Sequence, residues 1–159
     1  MVDPWEVLRG IPDPEIPVIN IVELGIVRGV TVDGTSVRVA ITPTYSGCPA
    51  MHAIEEDIGA RLRESGYSEV SVTQQLSPAW TTDWMTLEAR ERLRGYGIVP
   101  PHRVQGMDSH RVHIRSRGVN CPQCGSANTE MLSAFGSTAC KAMYRCIDCR
   151  EPFDYFKPL

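Results

Sequence analysis

Two Cys-x-x-Cys pairs near the C-terminus, Cys121-Pro-Gln-Cys124 and Cys146-Ile-Asp-Cys149, limit what this chain can fold into more than any other feature. They are 21 residues apart. Each pair can form a tight knuckle whose backbone N–H groups point at sulfur, and two knuckles can bring four thiolates into a tetrahedron. Pro122 stiffens the first knuckle, and Gly125 permits the positive φ that follows it. Four free thiols or two disulfides are the alternatives, and nothing else in the chain reads as secreted.

The spacing predicts a rubredoxin-like zinc ribbon over residues 119–159 with Cys121, Cys124, Cys146 and Cys149 as ligands. Zinc is the expected ion and iron the alternative, since four thiolates suit both. The terminal Glu151-Pro-Phe-Asp-Tyr-Phe-Lys-Pro run supplies aromatic rings to pack beside the metal, which cannot fill so small a core by itself. Cys140 is the odd cysteine of this segment. It stands six residues before Cys146, on the same side of a strand, and its spacing admits a core residue, a redox thiol or a replacement ligand.

The 159 residues suffice for one sizeable domain plus a small one. The N-terminus, Met-Val-Asp-Pro-Trp-Glu, has acids and a proline where a secretion signal carries basic and then apolar residues. No apolar run approaches membrane-spanning length. A cytoplasmic location is expected, where cysteines bind metal more readily than they form disulfides.

The net charge of −3 is unevenly spread. Residues 1–98 carry eight arginines and fourteen acids, residues 99–118 four arginines and one acid, and residues 119–159 four charges of each sign. The expected organisation is an α+β domain over 1–98, a basic linker over 99–118 and the ribbon. A nucleic-acid-binding ribbon is the alternative class, resting on Arg111, Arg115 and Arg117. The acidic body counts against it.

Hydrophobic periodicity gives the order α-β-β-α-β-α for the first domain, a small mixed sheet covered by helices. Asp3 and Pro4 start a short helix that Gly10 stops. Ile26–Val32 and Val37–Thr42 form a hairpin across Asp33-Gly34. Met51, Ile54, Ile58 and Leu62 make the buried stripe of a helix that begins just after Cys48 and ends at Gly66. Val70, Val72 and Leu76 mark a third strand. A last helix runs from Thr86 to Arg94 with Leu87 and Leu93 inward.

A second candidate site is Thr42-Pro-Thr-Tyr-Ser-Gly-Cys48-Pro49. A sulfur at a helix N-terminus meets unpaired N–H groups and the positive end of the helix dipole, which suits a nucleophile or a soft-metal ligand. Packing beneath the helix is the plainer alternative. Asp13 and Glu15 lie in a proline-bounded loop and could hold a cation, or be solvated or capping groups. His52 belongs to the solvated face of the helix. The chain has no carboxylate-and-histidine set of the kind a di-iron oxygenase needs.

Asp13-Pro14-Glu15 with Val18, Leu24-Gly25-Ile26-Val27 and Thr44 to Pro49 resemble the small domain of iron–sulfur assembly factors, over roughly the first three-fifths of the chain. Pro78-Ala-Trp-Thr-Thr-Asp-Trp-Met with Ala89-Arg90 looks like that domain's last segment. With Cys121-Pro-Gln-Cys-Gly-Ser, Phe135-Gly-Ser-Thr-Ala-Cys-Lys141 and Tyr144-Arg-Cys146 through Phe156, the chain is similar to the PaaD-like family of bacterial phenylacetyl-CoA epoxidase subunits. The resemblance implies a non-catalytic accessory subunit of a multicomponent oxygenase of aerobic phenylacetate breakdown. It implies partners among the other subunits, the iron–sulfur reductase especially, and a role in installing iron or a transient iron–sulfur cluster. It carries Asp13, Glu15 and Cys48 over as the cluster- or iron-handling group and the four knuckle cysteines as zinc ligands.

Overall fold

The structure, a computed structural model, describes residues 1–103 and 118–159. Of the basic linker's features, His110, His113, Arg111, Arg115 and Arg117 lie outside the described residues. The chain divides into two compact units, Met1–Ala89 and Arg90–Leu159. The division falls ahead of the residue-98 boundary expected from composition. One reason is that β4 (Ile98–Val99) pairs in parallel with the ribbon strand β7 (Pro152–Phe156).

The first unit opens with α1 (Pro4–Arg9), where Asp3 Oδ1 accepts a hydrogen bond from the Trp5 N–H at 3.1 Å. β1 (Val27–Asp33) and β2 (Ser36–Ile41) form the expected antiparallel hairpin. α2 (Ala50–Glu64) carries the chain to β3 (Glu69–Gln74), which pairs in parallel with β2. The sheet order is β1-β2-β3, mixed as the sequence predicts.

Alternation puts Val37, Val39 and Ile41 on the buried face of β2, and Met51, Ile54, Ile58 and Leu62 are the buried stripe of α2. Burying each such side chain contributes about 1.5–3 kcal/mol. Two expectations fail. Leu87 is 65 % exposed because it opens α3 (Leu87–Gly95), where the Thr86 hydroxyl oxygen accepts from the Ala89 N–H; Ala89 points inward instead, and Leu93 is buried as expected. Leu76 is 69 % exposed because β3 has ended at Gln74.

The proline-bounded segment before β1 is irregular but firmly held. Ile11, Ile16, Ile19, Ile21, Leu24 and Ile26 are all buried along it. Asn20 Oδ1 accepts from the N–H groups of Val22 and Glu23, while Glu23 Oε2 accepts from the Asn20 N–H, a reciprocal cap. Trp80 Nε1 donates to Leu24 O at 3.0 Å, and the Arg28 guanidinium stacks on Trp84 at 3.6 Å. Gly25 has φ +83°, and a Cβ there would lie 2.8 Å from Trp84 Cβ and 2.9 Å from its carbonyl oxygen. Only glycine meets both demands.

The second unit is a four-stranded sheet of order β4-β7-β6-β5, with β5 (Thr129–Ser133) at one edge and β6 (Lys141–Cys146) antiparallel to β5 and β7. The terminal aromatics pack as expected. Phe153, Tyr155 and Phe156 are buried, with Tyr144 stacked on Phe153 and edge-on to Tyr155.

Gly25→Ala is expected to destabilise the first unit by about 2–3 kcal/mol, through backbone strain and the clash with Trp84. Urea denaturation followed by tryptophan fluorescence measures this, and an unchanged midpoint would show that the close approach is not required.

Candidate metal centre

The two knuckles are local copies of one another. In the first, the Cys121 N–H donates to Ser126 O; in the second, the Cys146 N–H donates to Glu151 O, the same five-residue step. The Gln123 N–H points at Cys121 Sγ at 3.4 Å and the Cys149 N–H at Cys146 Sγ at 3.5 Å. The residue after each second cysteine is left-handed: Gly125 at φ 75° and Arg150 at φ 67°. Each knuckle also buries its first cysteine and exposes its second. Cys121 and Cys146 thereby join the apolar cluster of Val119, Ala142, Tyr144, Phe153 and Tyr155, while Cys124 and Cys149 face water.

The four Sγ atoms lie within 4.8 Å of one another. Cys121 and Cys149 sulfurs are 3.6 Å apart, and those of Cys124 and Cys146 are 3.5 Å apart. A tetrahedron with metal–sulfur bonds near 2.3 Å has edges of about 3.8 Å. A disulfide needs about 2.05 Å. The arrangement therefore fits a tetrathiolate ion, and all six cysteines are free.

Crowding the thiols splits the proton affinities of Cys121, Cys124 and Cys149. For Cys121, burial raises the pKa, but the N–H groups of Cys124 and Gln123 and the neighbouring thiols outweigh it and bring it down to about 7. For Cys149, the Glu151 N–H pulls downward, yet lost hydration and the three neighbouring sulfurs prevail and push it to about 12. Cys124 is also raised: the Ser126 N–H lowers it, but the Cys146 sulfur and lost hydration win. A cation at the centre removes this conflict by favouring all the thiolates at once.

The other candidates are placed differently. Thr42 is buried, its hydroxyl donating to Gln75 O at 2.7 Å and its N–H to Ile26 O. This ties the start of the Cys48 loop to the ends of two strands. The Cys48 N–H donates to Tyr45 O across a turn with Gly47 at φ 76°, as a type II turn requires. Cys48 is half-buried just ahead of α2, with the Thr44 hydroxyl 3.9 Å from its sulfur. Asp13 is buried, and its Oδ1 accepts from the N–H groups of Glu15 at 2.9 Å and Ile16 at 2.8 Å, which makes it a local cap. Among the described residues the four-cysteine set is the only group of three or more His, Cys, Asp or Glu donors so close together, and Asp13, Glu15 and Cys48 form no such group. Cys140 is buried outside the set, with Thr138 Oγ1 3.0 Å from its sulfur. His52 lies on the solvated face of α2, 3.4 Å from Glu56.

Residues 5–73 match the family described as iron-sulfur cluster assembly protein, and residues 106–157 match the PaaD zinc beta ribbon domain. An Escherichia coli (strain K12) protein assigned as a subunit of 1,2-phenylacetyl-CoA epoxidase is 54% identical over 153 residues, 96% of this chain and 90% of that protein. The chain belongs to the PaaD family of phenylacetyl-CoA epoxidase subunits. A Porphyromonas gingivalis Fe-S protein maturation auxiliary factor is 37% identical over 84 residues, 52% of this chain and 79% of the other. The crystal structure of a domain of unknown function, DUF59, from Bacillus anthracis superposes with TM-score 0.53 at 29% identity, covering 57% of this PaaD-family chain and 87% of the other.

Sequence reasoning missed the hydrogen bonds that cross between the two knuckle segments of this PaaD-type ribbon. Asp148 accepts hydrogen bonds from the Ser126 hydroxyl and from Asn128 Nδ2, which hold its carboxyl below the usual value. An acid between the ligands of one knuckle and a serine just past the other were the available signals, but neither spacing is a known motif.

Metal affinity is expected to fall steeply with acid. At neutral pH the metal-free site keeps protons on Cys124 and Cys149, so binding must displace at least these. The apparent affinity should then drop by at least two log units per pH unit below 7, and more as Cys121 also protonates; competition with a chelator at several pH values measures the slope. Arg150→Gly is expected to stabilise the metal-loaded ribbon by about 1 kcal/mol, since it removes a side chain from the left-handed region. Thermal unfolding of the loaded protein reads that gain.

Proposed function

We propose that this protein is a non-catalytic accessory subunit of a phenylacetyl-CoA epoxidase complex, assisting iron or iron–sulfur cluster maturation of its partner subunits. The observation that carries this reading is the union, in one chain, of an assembly-family domain with a half-buried Cys48, in no disulfide, just ahead of α2 and an epoxidase-type ribbon. Cys48 is the sulfur that takes up iron or a cluster as cargo. Asp13 shapes the proline-bounded loop by capping it, and Glu15 presents a carboxylate from that loop to assist.

The ribbon carries a resident zinc ion on Cys121, Cys124, Cys146 and Cys149. It meets another component of the complex, the iron–sulfur reductase being the first candidate. Met131, Leu132 and Phe135, on and just beyond the edge strand β5, are exposed and leave apolar surface for such a contact. Reduced thiols at both sites suit the cytoplasm. Among the described residues no helix is long and apolar enough to cross a membrane.

Elemental analysis of the purified chain is expected to find one zinc per molecule and a colourless protein; a red protein would mean iron on the four thiolates. The functional test is Cys48→Ser in the native operon. The reductase from that strain should lose most of its cluster, read as bound iron and acid-labile sulfide, while the variant keeps its ribbon metal. Full cluster occupancy in the reductase would refute the delivery role.

A further inference from the structure

We propose that Asp148 is a positioning residue of the metal centre, bracing the second knuckle against the chain that leaves the first. Asp148 sits between the ligands Cys146 and Cys149, and its carboxylate reaches across 20 and 22 residues of sequence. Oδ1 accepts from Asn128 Nδ2 at 2.8 Å, and Oδ2 accepts from the Ser126 hydroxyl.

The connection is closed at both ends. Ser126 O accepts from the Cys121 N–H at 2.9 Å, and Ser126 Oγ accepts from the Asn128 N–H at 3.0 Å. Asn128 O accepts from the Ile147 N–H at 2.9 Å. A hydrogen-bonded circuit therefore runs from Cys121 through Ser126 and Asn128 to Ile147 and Asp148. It ties together two knuckles that no other side-chain bond among the described residues joins, apart from the sulfur contacts themselves.

Outer groups of this kind fix the direction of ligands and slow their release of metal. Charge alone argues the other way. Four thiolates around a divalent cation carry a formal charge of −2, and a carboxylate beside them is electrostatically unfavourable. Its presence is accounted for by the two bonds it accepts. These alternatives make opposite predictions. The amide introduced by Asp148→Asn can still accept from Asn128 and donate to Ser126, so the brace survives without the charge. Asp148→Ala removes both.

The experiment loads the full-length chain with zinc and follows transfer of the metal to 4-(2-pyridylazo)resorcinol at a temperature where near-UV circular dichroism shows every variant folded. Wild type and Asp148→Asn should release metal at similar rates, Asp148→Ala about tenfold or more faster, and Ser126→Ala in between. Cobalt-loaded Asp148→Ala should also show an altered tetrahedral ligand-field spectrum, which a change in global stability does not produce. Equal release by wild type and Asp148→Ala overturns the brace. So does slower release by both Asp148 variants, which would assign the residue a purely electrostatic effect. If Asp148→Ala does not fold, Ser126→Ala against Asp148→Asn decides between the same outcomes. Wild type that takes up no zinc or cobalt would overturn the metal centre itself, a separate failure.

Discussion

Four sulfurs gathered about one point are the constraint on which the ribbon depends. The cluster that packs around them is small: Val119, Ala142, Tyr144, Phe153 and Tyr155, with Cys121 and Cys146 forming part of it. A core of that size does not stabilise a separate unit by apolar burial alone, and metal binding adds its free energy directly to folding in such modules. The equivalence of the two knuckles follows from the same constraint. Each must turn its chain within a few residues, aim an N–H at sulfur, and exit through a left-handed residue. Glycine fills that position in the first knuckle, whereas the second tolerates Arg150 at some backbone cost.

The architecture was largely legible because its signals are local. The hairpin, the α2 stripe, the ligand set and the aromatic tail each follow from spacing within a few turns of chain. What escaped depended on contacts distant in sequence. Nothing near Ile98 and Val99 reveals that they pair with β7. Leu87 fits the helical period but falls on the opening turn, where the cap at Thr86 decides its direction. The role of Gly25 is visible only once Trp84, nearly sixty residues on, is brought against it. The Asp148 brace is of the same kind, since a lone acid in a knuckle acquires meaning from Ser126 and Asn128.

At the second candidate site the residue types were legible and their geometry was not. The sequence groups Asp13 and Glu15 as a pair of carboxylates. In the fold, Asp13 spends one oxygen on two backbone N–H groups and is buried, so its first task is to hold a loop that no regular hydrogen-bond ladder supports. Cys48 is positioned by a different device, with Thr42 anchoring the loop to the strand ends and Gly47 turning it toward α2.

The contrast between the two sulfur sites bears on which of them can trade metal. A tetrahedral tetrathiolate is coordinatively complete. An ion there leaves only by breaking several bonds, and two of the four sulfurs are sealed into the apolar cluster. Such a site keeps its ion. Cys48 offers one sulfur with no three-donor set around it among the described residues. Iron or a cluster held there under the proposed function completes its coordination with ligands from the donor or the receiving protein. Transfer is then a stepwise exchange of ligands at an open site and leaves the ribbon's metal undisturbed. On that proposal, one chain would combine a resident metal for folding with a transient one for delivery.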